Sequence, residues 1–392
     1  MHEAVIVDAV RTASAKGKPG GALSSVHPVD LLADVLDQLI SRNGIDPTEI
    51  DDVIAGTVSQ IGEQSMNVAR NAVLAAGLPE TLPATTIDRQ CGSSQQAATF
   101  AAQAIMSGSQ DVVVACGVES MSRVPLGSSL AGQDALGALL RERYPEGLVH
   151  QGVSAELIAA KWDFARAELD DFAARSHELA AAAASSGDFD AEIVPIATEA
   201  GPHYVDETIR AGTSAASLAK LQPAFATPEH VERFPELEWK VTPGNSSPLT
   251  DAASAVLIMS REKADALGLR PLARFVAFSV VGDDPVLMLT GPIPATERVL
   301  QRAGLHLDDI DIFEVNEAFS SVALAWLRET GAPPAKLNPR GGAIALGHAV
   351  GASGARLLTT LVHGLIATGG NFGLQTMCEG GGMANATIIE RL

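Results

Sequence analysis

Twice along this chain, short apolar runs that read as buried strands alternate with segments whose apolar residues recur at helical spacing. The first series opens with a strand at Val5-Ile-Val and a helix over 28–43. There Leu31, Leu32, Val35, Leu36, Leu39 and Ile40 share one face, Pro28 starts the helix and Gly44 stops it. A strand over 52–56, a helix over 66–76, a strand over 84–88, an Ala-rich helix over 94–107 and a strand over 111–116 follow. The second series has a strand near 272–276, a helix over 294–303, a strand over 310–315 and a helix over 317–328. A Gly-rich loop, a helix over 351–366 and strands over 372–378 and 384–389 complete it. Such alternation predicts parallel sheets covered by helices on both faces.

Between the two series, residues 121–248 are richer in Gly, Ser, Pro and charge, with helices expected at 154–162 and 166–186. A strand over 254–260 then returns to the first series. The division read from this pattern is 1–120 with 249–270, an excursion over 121–248 that covers a site, and 271–392.

At 392 residues and 46% hydrophobic, the chain can bury a large core. A net charge of −20 without clustered Lys or Arg argues against nucleic-acid binding, and it leaves any anionic ligand to a few local cations. The apolar runs are too short and interrupted to predict a membrane span. The N-terminus enters a strand pattern without a basic region or cleavage site, so the cytoplasm is the expected location. Cysteines at 91, 116 and 378 form no Cys-x-x-Cys and match no zinc spacing; reduced thiols and no metal are expected.

Cys91 follows a strand, and Gly92-Ser93-Ser94 can open the next helix, a setting whose dipole should lower the thiol pKa. The alternative is a small buried apolar residue, the usual state of a cysteine. His348 sits in a loop with Gly341, Gly342, Gly347 and Gly351, where the backbone turns tightly or approaches something closely. Neither a Gly-Lys-Ser/Thr ending nor Gly-x-Gly-x-x-Gly after a strand is present, which weakens nucleotide readings. Cys378 ends a strand before Gly380-Gly381-Gly382, where backbone N–H groups could face a reacting carbonyl. Cys116 lacks that glycine run and is read as structural. Asn316, at a strand–helix junction, either caps the helix or orients a water or substrate oxygen. Two thiols and an imidazole in glycine-lined turns suit acyl transfer through a thioester.

The ordered blocks Asp8-Ala-Val-Arg-Thr, Cys91-Gly-Ser, Asn245-Ser-Ser, Gly291-Pro-Ile-Pro, Asn316-Glu-Ala-Phe, Gly341-Gly-Ala-Ile-Ala-Leu-Gly-His and Cys378-x-Gly-Gly-Gly resemble those of the thiolases, acyl-CoA:acetyl-CoA C-acyltransferases, along essentially the whole chain. The resemblance implies two similar βαβαβαββ halves in an α/β/α/β/α layered arrangement with an inserted loop domain. It implies Cys91 as the acylated nucleophile, His348 as its activator and Cys378 as general acid/base. Asn316 with a water and His348 would form one oxyanion hole, and the N–H groups of Cys91 and Gly380 the other. By the same resemblance Arg210, Ser217, Phe225, Ser247 and His150 contact coenzyme A, and Met288 and Phe319 line the acyl pocket. For Arg210 a surface salt bridge, and for Ser217 a helix cap, are the plainer alternatives. Coenzyme A and acyl-CoA are substrates, no cofactor or metal is implied, and the family assembles as homodimers or homotetramers.

Some positions depart from the family pattern: Ala349 after the histidine, Pro243 near the pantetheine channel, Gln151 in place of an apolar residue, and Glu379 beside Cys378. Strand alternation should turn Glu379 away from the thiol that precedes it. The expected activity is degradative thiolysis of 3-ketoacyl-CoA, with biosynthetic acetoacetyl-CoA condensation and a non-catalytic acyl-CoA-binding scaffold as alternatives.

Overall fold

Strand β1 (Ala4–Thr12) is buried at every position and leads to α1 (Pro28–Asn43). His27 caps that helix, Pro28 starts it, and Gly44 ends it in the left-handed conformation at φ 60°. The six apolar residues of its inner face are all buried, each worth about 1.5–3 kcal/mol of hydrophobic stabilisation. The computed structural model describes residues 2–392. The first half continues with β2 (Asp52–Gly56), α2 (Val68–Ala75), β3 (Ala84–Ile87), α3 (Ser93–Met106) and β4 (Val112–Ser120). After a long excursion the chain returns as β5 (Thr250–Ser260). The second half contains β6 (Ala273–Gly282), α6 (Pro292–Ala303), β7 (Ile310–Val315), α7 (Ser320–Thr330), α8 (Ser353–Thr368), β8 (Phe372–Glu379) and β9 (Met383–Arg391). Within the excursion lie α4 (Gln151–Lys161) and α5 (Arg166–Ser186).

The nine long strands follow the order β7-β8-β9-β6-β1-β5-β4-β2-β3. The two halves join where β1 meets β6, through Val5 opposite Arg274 and Ile6 opposite Ala273. The expected parallel sheets are instead mixed. β2 runs parallel to β3 and β4, and β7 to β8, while β5 lies antiparallel to both β1 and β4 and β9 to both β6 and β8. The cause is connectivity: β8 and β9 are joined by a three-glycine turn, which allows only an antiparallel hairpin.

Alternating side chains divide the core into layers. Val112, Val114, Cys116 and Val118 of β4 face α1 and α2, while Val113 and Ala115 face the opposite way. Those inner residues meet Ala97, Ala101 and Ile105 of α3 and Leu358, Leu361 and Leu365 of α8. On the far side, Ala295 and Val299 of α6 and Trp326 of α7 pack on β7, β8 and β9. The result is α/β/α/β/α layering with α3 and α8 in the middle.

Arg11, fully buried, ties the excursion to β1. Its Nε donates to Glu192 at 2.5 Å, and its Nη1 and Nη2 donate to Asp206 at 2.8 and 3.0 Å. No helix among the described residues is long and apolar enough to cross a membrane.

Candidate active site

The two middle helices place the first two reactive groups. Cys91 immediately precedes Gly92, the N-cap of α3, and His348 lies in the turn that enters α8. Between these elements the main chains touch. A methyl group on Gly354 would overlap the backbone nitrogen of Gln95, and one on Gly117 would overlap the carbonyl of Gly351. Glu119 adds a buried clamp, accepting from Val58 N at 2.9 Å, Ser59 N at 3.1 Å, Gln64 Nε2 at 2.7 Å and Gly351 N at 3.0 Å. β8 carries Cys378 into the same region, where the Cys91 thiol is close enough to raise the Cys378 pKa after burial itself has done so.

The tautomer of His348 follows from its neighbours. Ser353 Oγ donates to the Ala349 carbonyl at 2.8 Å, so toward His348 Nδ1, 2.7 Å away, it can only accept. The imidazole proton therefore sits on Nδ1, and Nε2 presents a lone pair to the site. Asn316 Nδ2 donates to that Nε2 at 3.5 Å, while Asn316 Oδ1 is buried without a partner. Burial first, and then the Arg356 charge, push the His348 pKa down to about 3, so the ring is neutral.

The expected low pKa of Cys91 is not found. Burial, and then the Glu379 charge, push this thiol up to about 12; the N–H groups of Cys91 and Gly380 act the other way. Removal from water outweighs the helix dipole because the thiol is enclosed. Glu379 thus acts on Cys91 despite strand alternation. Its carboxyl is buried against Gly92, where the loop before α3 crosses the end of β8. Cys116 is fully buried in the core of the first half, with its thiol pKa raised by burial.

Asn316 is not a helix cap. α7 starts only at Ser320, with Phe319 at the cap position, and 316–319 form a loop held by tertiary bonds. Glu317 accepts from Ser176 Oγ at 2.6 Å, Asn338 Nδ2 at 2.8 Å and Ile344 N at 3.2 Å, which pulls it out of helical geometry. Ser247 donates to the Ala318 carbonyl through both its N, at 3.0 Å, and its Oγ, at 3.1 Å.

Around this centre, His150 caps α4 by accepting from Gly152 N at 3.1 Å. Its ring lies 5.3 Å from that of Phe225, which in turn meets Phe319 edge-on at 6.0 Å. Met288 is buried in the same apolar cluster as Phe319 and Cys378. Arg210 is exposed and forms no ion pair among the described residues. Ser217 is the partner of a cap rather than the cap itself: Ser214 caps the short helix Ala215–Leu218, and Ser217 Oγ donates to the Ser214 carbonyl at 2.7 Å and accepts from Ser214 N at 3.1 Å. Sequence reasoning did not single out Ser353, Thr250, whose Oγ1 accepts from His348 N at 3.0 Å, or Glu119. Nor did it single out Gln90, whose carboxamide stands 3.1 Å from where a Cβ on Gly380 would lie; that of Gln151, noted as a departure from the family pattern, stands 3.2 Å from the same point.

Residues 4–262 match the thiolase N-terminal domain and residues 269–391 the thiolase C-terminal domain. The chain belongs to the thiolase family. It is 49% identical over 400 residues to steroid 3-ketoacyl-CoA thiolase FadA6 of Mycobacterium tuberculosis, covering 100% of this chain and 95% of that protein. It is 42% identical to the 3-ketoacyl-CoA thiolase of Bacillus subtilis, covering 100% of both. The acetyl-CoA acetyltransferase of Bacillus anthracis superposes with a TM-score of 0.89 at 40% identity, over 100% of this chain and 99% of that one. An acyltransferase of this family is an enzyme.

Proposed function

We propose that this thiolase cleaves 3-ketoacyl-CoA with coenzyme A, yielding acetyl-CoA and a shortened acyl-CoA. The observation that carries the reading is a neutral His348 whose Nε2 faces Asn316, with two buried thiols of which Cys91 lies close enough to raise the Cys378 pKa. The names of the relatives favour the degradative direction over condensation.

Cys91 passes its proton to His348 Nε2 as its sulfur attacks the C3 carbonyl. The C2–C3 bond breaks, Cys91 keeps the acyl group as a thioester, and Cys378 protonates the acetyl-CoA enolate. Coenzyme A then gives its thiol proton to Cys378 and attacks the acyl group, and His348 returns the proton to the departing Cys91 sulfur. Each half is an acyl transfer, so the kinetics are ping-pong. A neutral base suits a thiol held protonated at rest, because the proton moves only as the bond forms. Enolate formation needs charge stabilisation as it develops, which Cys91 N–H, Gly380 N–H and an Asn316-held water with His348 would provide.

Free, exposed Arg210 suits a coenzyme A phosphate, and His150, Phe225 and Ser247 suit the pantetheine path. Met288 and Phe319 would border the acyl group, and residues 121–248 would form the cover over the entrance. Ser217 is less suited, its hydroxyl being engaged with Ser214. The half-exposed edge strand β3 beside exposed Met66 supports pairing of two copies as a dimer or tetramer. Three free thiols fit a reducing compartment such as the cytoplasm.

The test is incubation with coenzyme A and a panel of straight, branched and ring-bearing 3-ketoacyl-CoA thioesters, with mass spectrometry of the acyl-enzyme. Acetyl-CoA release and an adduct on Cys91, lost in Cys91→Ala, are expected. Turnover of acetoacetyl-CoA alone would assign the biosynthetic class, and an adduct on Cys116 would refute the site.

A further inference from the structure

Glu379 ends β8 directly after Cys378, and the steps above give it no task. Both its carboxyl oxygens are buried without a hydrogen-bond partner, and no ion pair reaches it among the described residues. Its Oε1 fills the space that a Cβ on Gly92 would need, so the carboxyl packs on the main chain of the residue after the nucleophile. Asn385 shares this spot, with Nδ2 2.8 Å from the same point and donating to the Gly92 carbonyl at 3.2 Å. Asn385 Oδ1 is likewise buried without a partner. Arg89 Nε, from the loop before α3, is also buried without a partner, so no donor near this carboxyl is engaged with it.

A buried carboxylate with nothing to accept from is among the costliest arrangements in a protein interior. One proton converts an acceptor to a donor and removes the charge at once. The charged or titratable groups facing this carboxyl are Arg89 and Asp88 from the loop before α3, Cys91 from the same loop, and Cys378 from its own strand. From β9 comes only the uncharged Asn385. Arg89 favours the ionised form, but burial prevails and pushes the carboxyl up to about 8.

Resting on the thiolase reading of Cys91, we propose that Glu379 is a positioning residue that works as a neutral acid. Its retained proton removes an uncompensated buried charge and keeps negative charge off the Cys91 sulfur. Loss of that proton to solvent silences acyl transfer. The chain therefore carries an alkaline switch beneath its nucleophile, separate from the groups that handle substrate protons.

The experiment pairs two readouts on wild type, Glu379→Gln and, as an uncharged apolar alternative should the amide fold poorly, Glu379→Met. The first is infrared difference spectroscopy of the free enzyme, which needs no turnover. Buried Glu314 is also pushed up to about 8, so the readout is wild type minus variant: that difference should contain a protonated carboxyl band at neutral pH that fades through about pH 8. The second is thiolysis against pH. Wild type should fall to about one-tenth of its peak by pH 9, whereas the variants hold their rate there, because the neutral fraction drops tenfold per unit above the pKa. A difference spectrum without a carboxyl band, or variant profiles that overlay wild type, would overturn the proposal. Absence of thiolysis from wild type with the band behaving as stated would instead strike at the reading of Cys91.

Discussion

Ser353 Oγ accepts the Nδ1 proton of His348 at 2.7 Å because its own proton is committed to the carbonyl of Ala349, one turn earlier in the chain. This relay fixes which imidazole nitrogen can act as base. Ser353→Ala should lower thiolysis about tenfold or more, since one orienting hydrogen bond is worth about 1.5 kcal/mol. Steady-state assays with saturating coenzyme A check this, and Ser353→Thr, which keeps the hydroxyl, should recover most of the rate.

Asn316 offers a separation of activity from stability. Its Oδ1 is enclosed without a partner, and its only side-chain bond is the long one from Nδ2 to His348 Nε2 at 3.5 Å, so Asn316→Ala removes an unpaired buried acceptor and one weak bond. Thermal unfolding should be unchanged or shifted slightly upward. Turnover should fall by about 10²–10³, the range for losing one donor to a developing oxyanion. Parallel loss of both would show that the amide serves the fold.

The neutral state of His348 has a sign that can be measured. Its pKa is pushed down to about 3, so on unfolding below the ordinary value of 6.5 the ring takes up a proton that the native state excludes. Stability from this group is therefore intact above pH 6.5 and declines as pH falls, by about 1.4 kcal/mol per unit until the folded pKa is reached. Urea unfolding between pH 7 and 5 should show a slope that His348→Phe reduces by this amount. The activity profile should lack an acid limb at 6.5.

Much of this was legible beforehand, for reasons that differ by residue. The helix over Pro28–Asn43 was readable because apolar spacing, an opening proline and a closing glycine agree. Cys91, His348 and Cys378 stood out because close backbone approach demands glycine beside them. The loop at 316–319 was hidden, since Glu317 is drawn out of a helix by Ser176, Asn338 and Ile344, all remote in sequence. The raised pKa of Cys91 is hidden in the sequence for a similar reason. A helix terminus is visible in the sequence, whereas enclosure of the thiol and the reach of Glu379 across to Gly92 exist only once the strands and helices are assembled.

Where Gly117 abuts Gly351 and Gly354 abuts Gln95, peptide groups rest on peptide groups. The spacing between the segments that carry Cys91 and His348 is thereby set by atoms common to every amino acid. Gln90, Gln151 and Met288 could then be exchanged by evolution or by an engineer seeking a different acyl preference, while Cys91 and His348 stay in register.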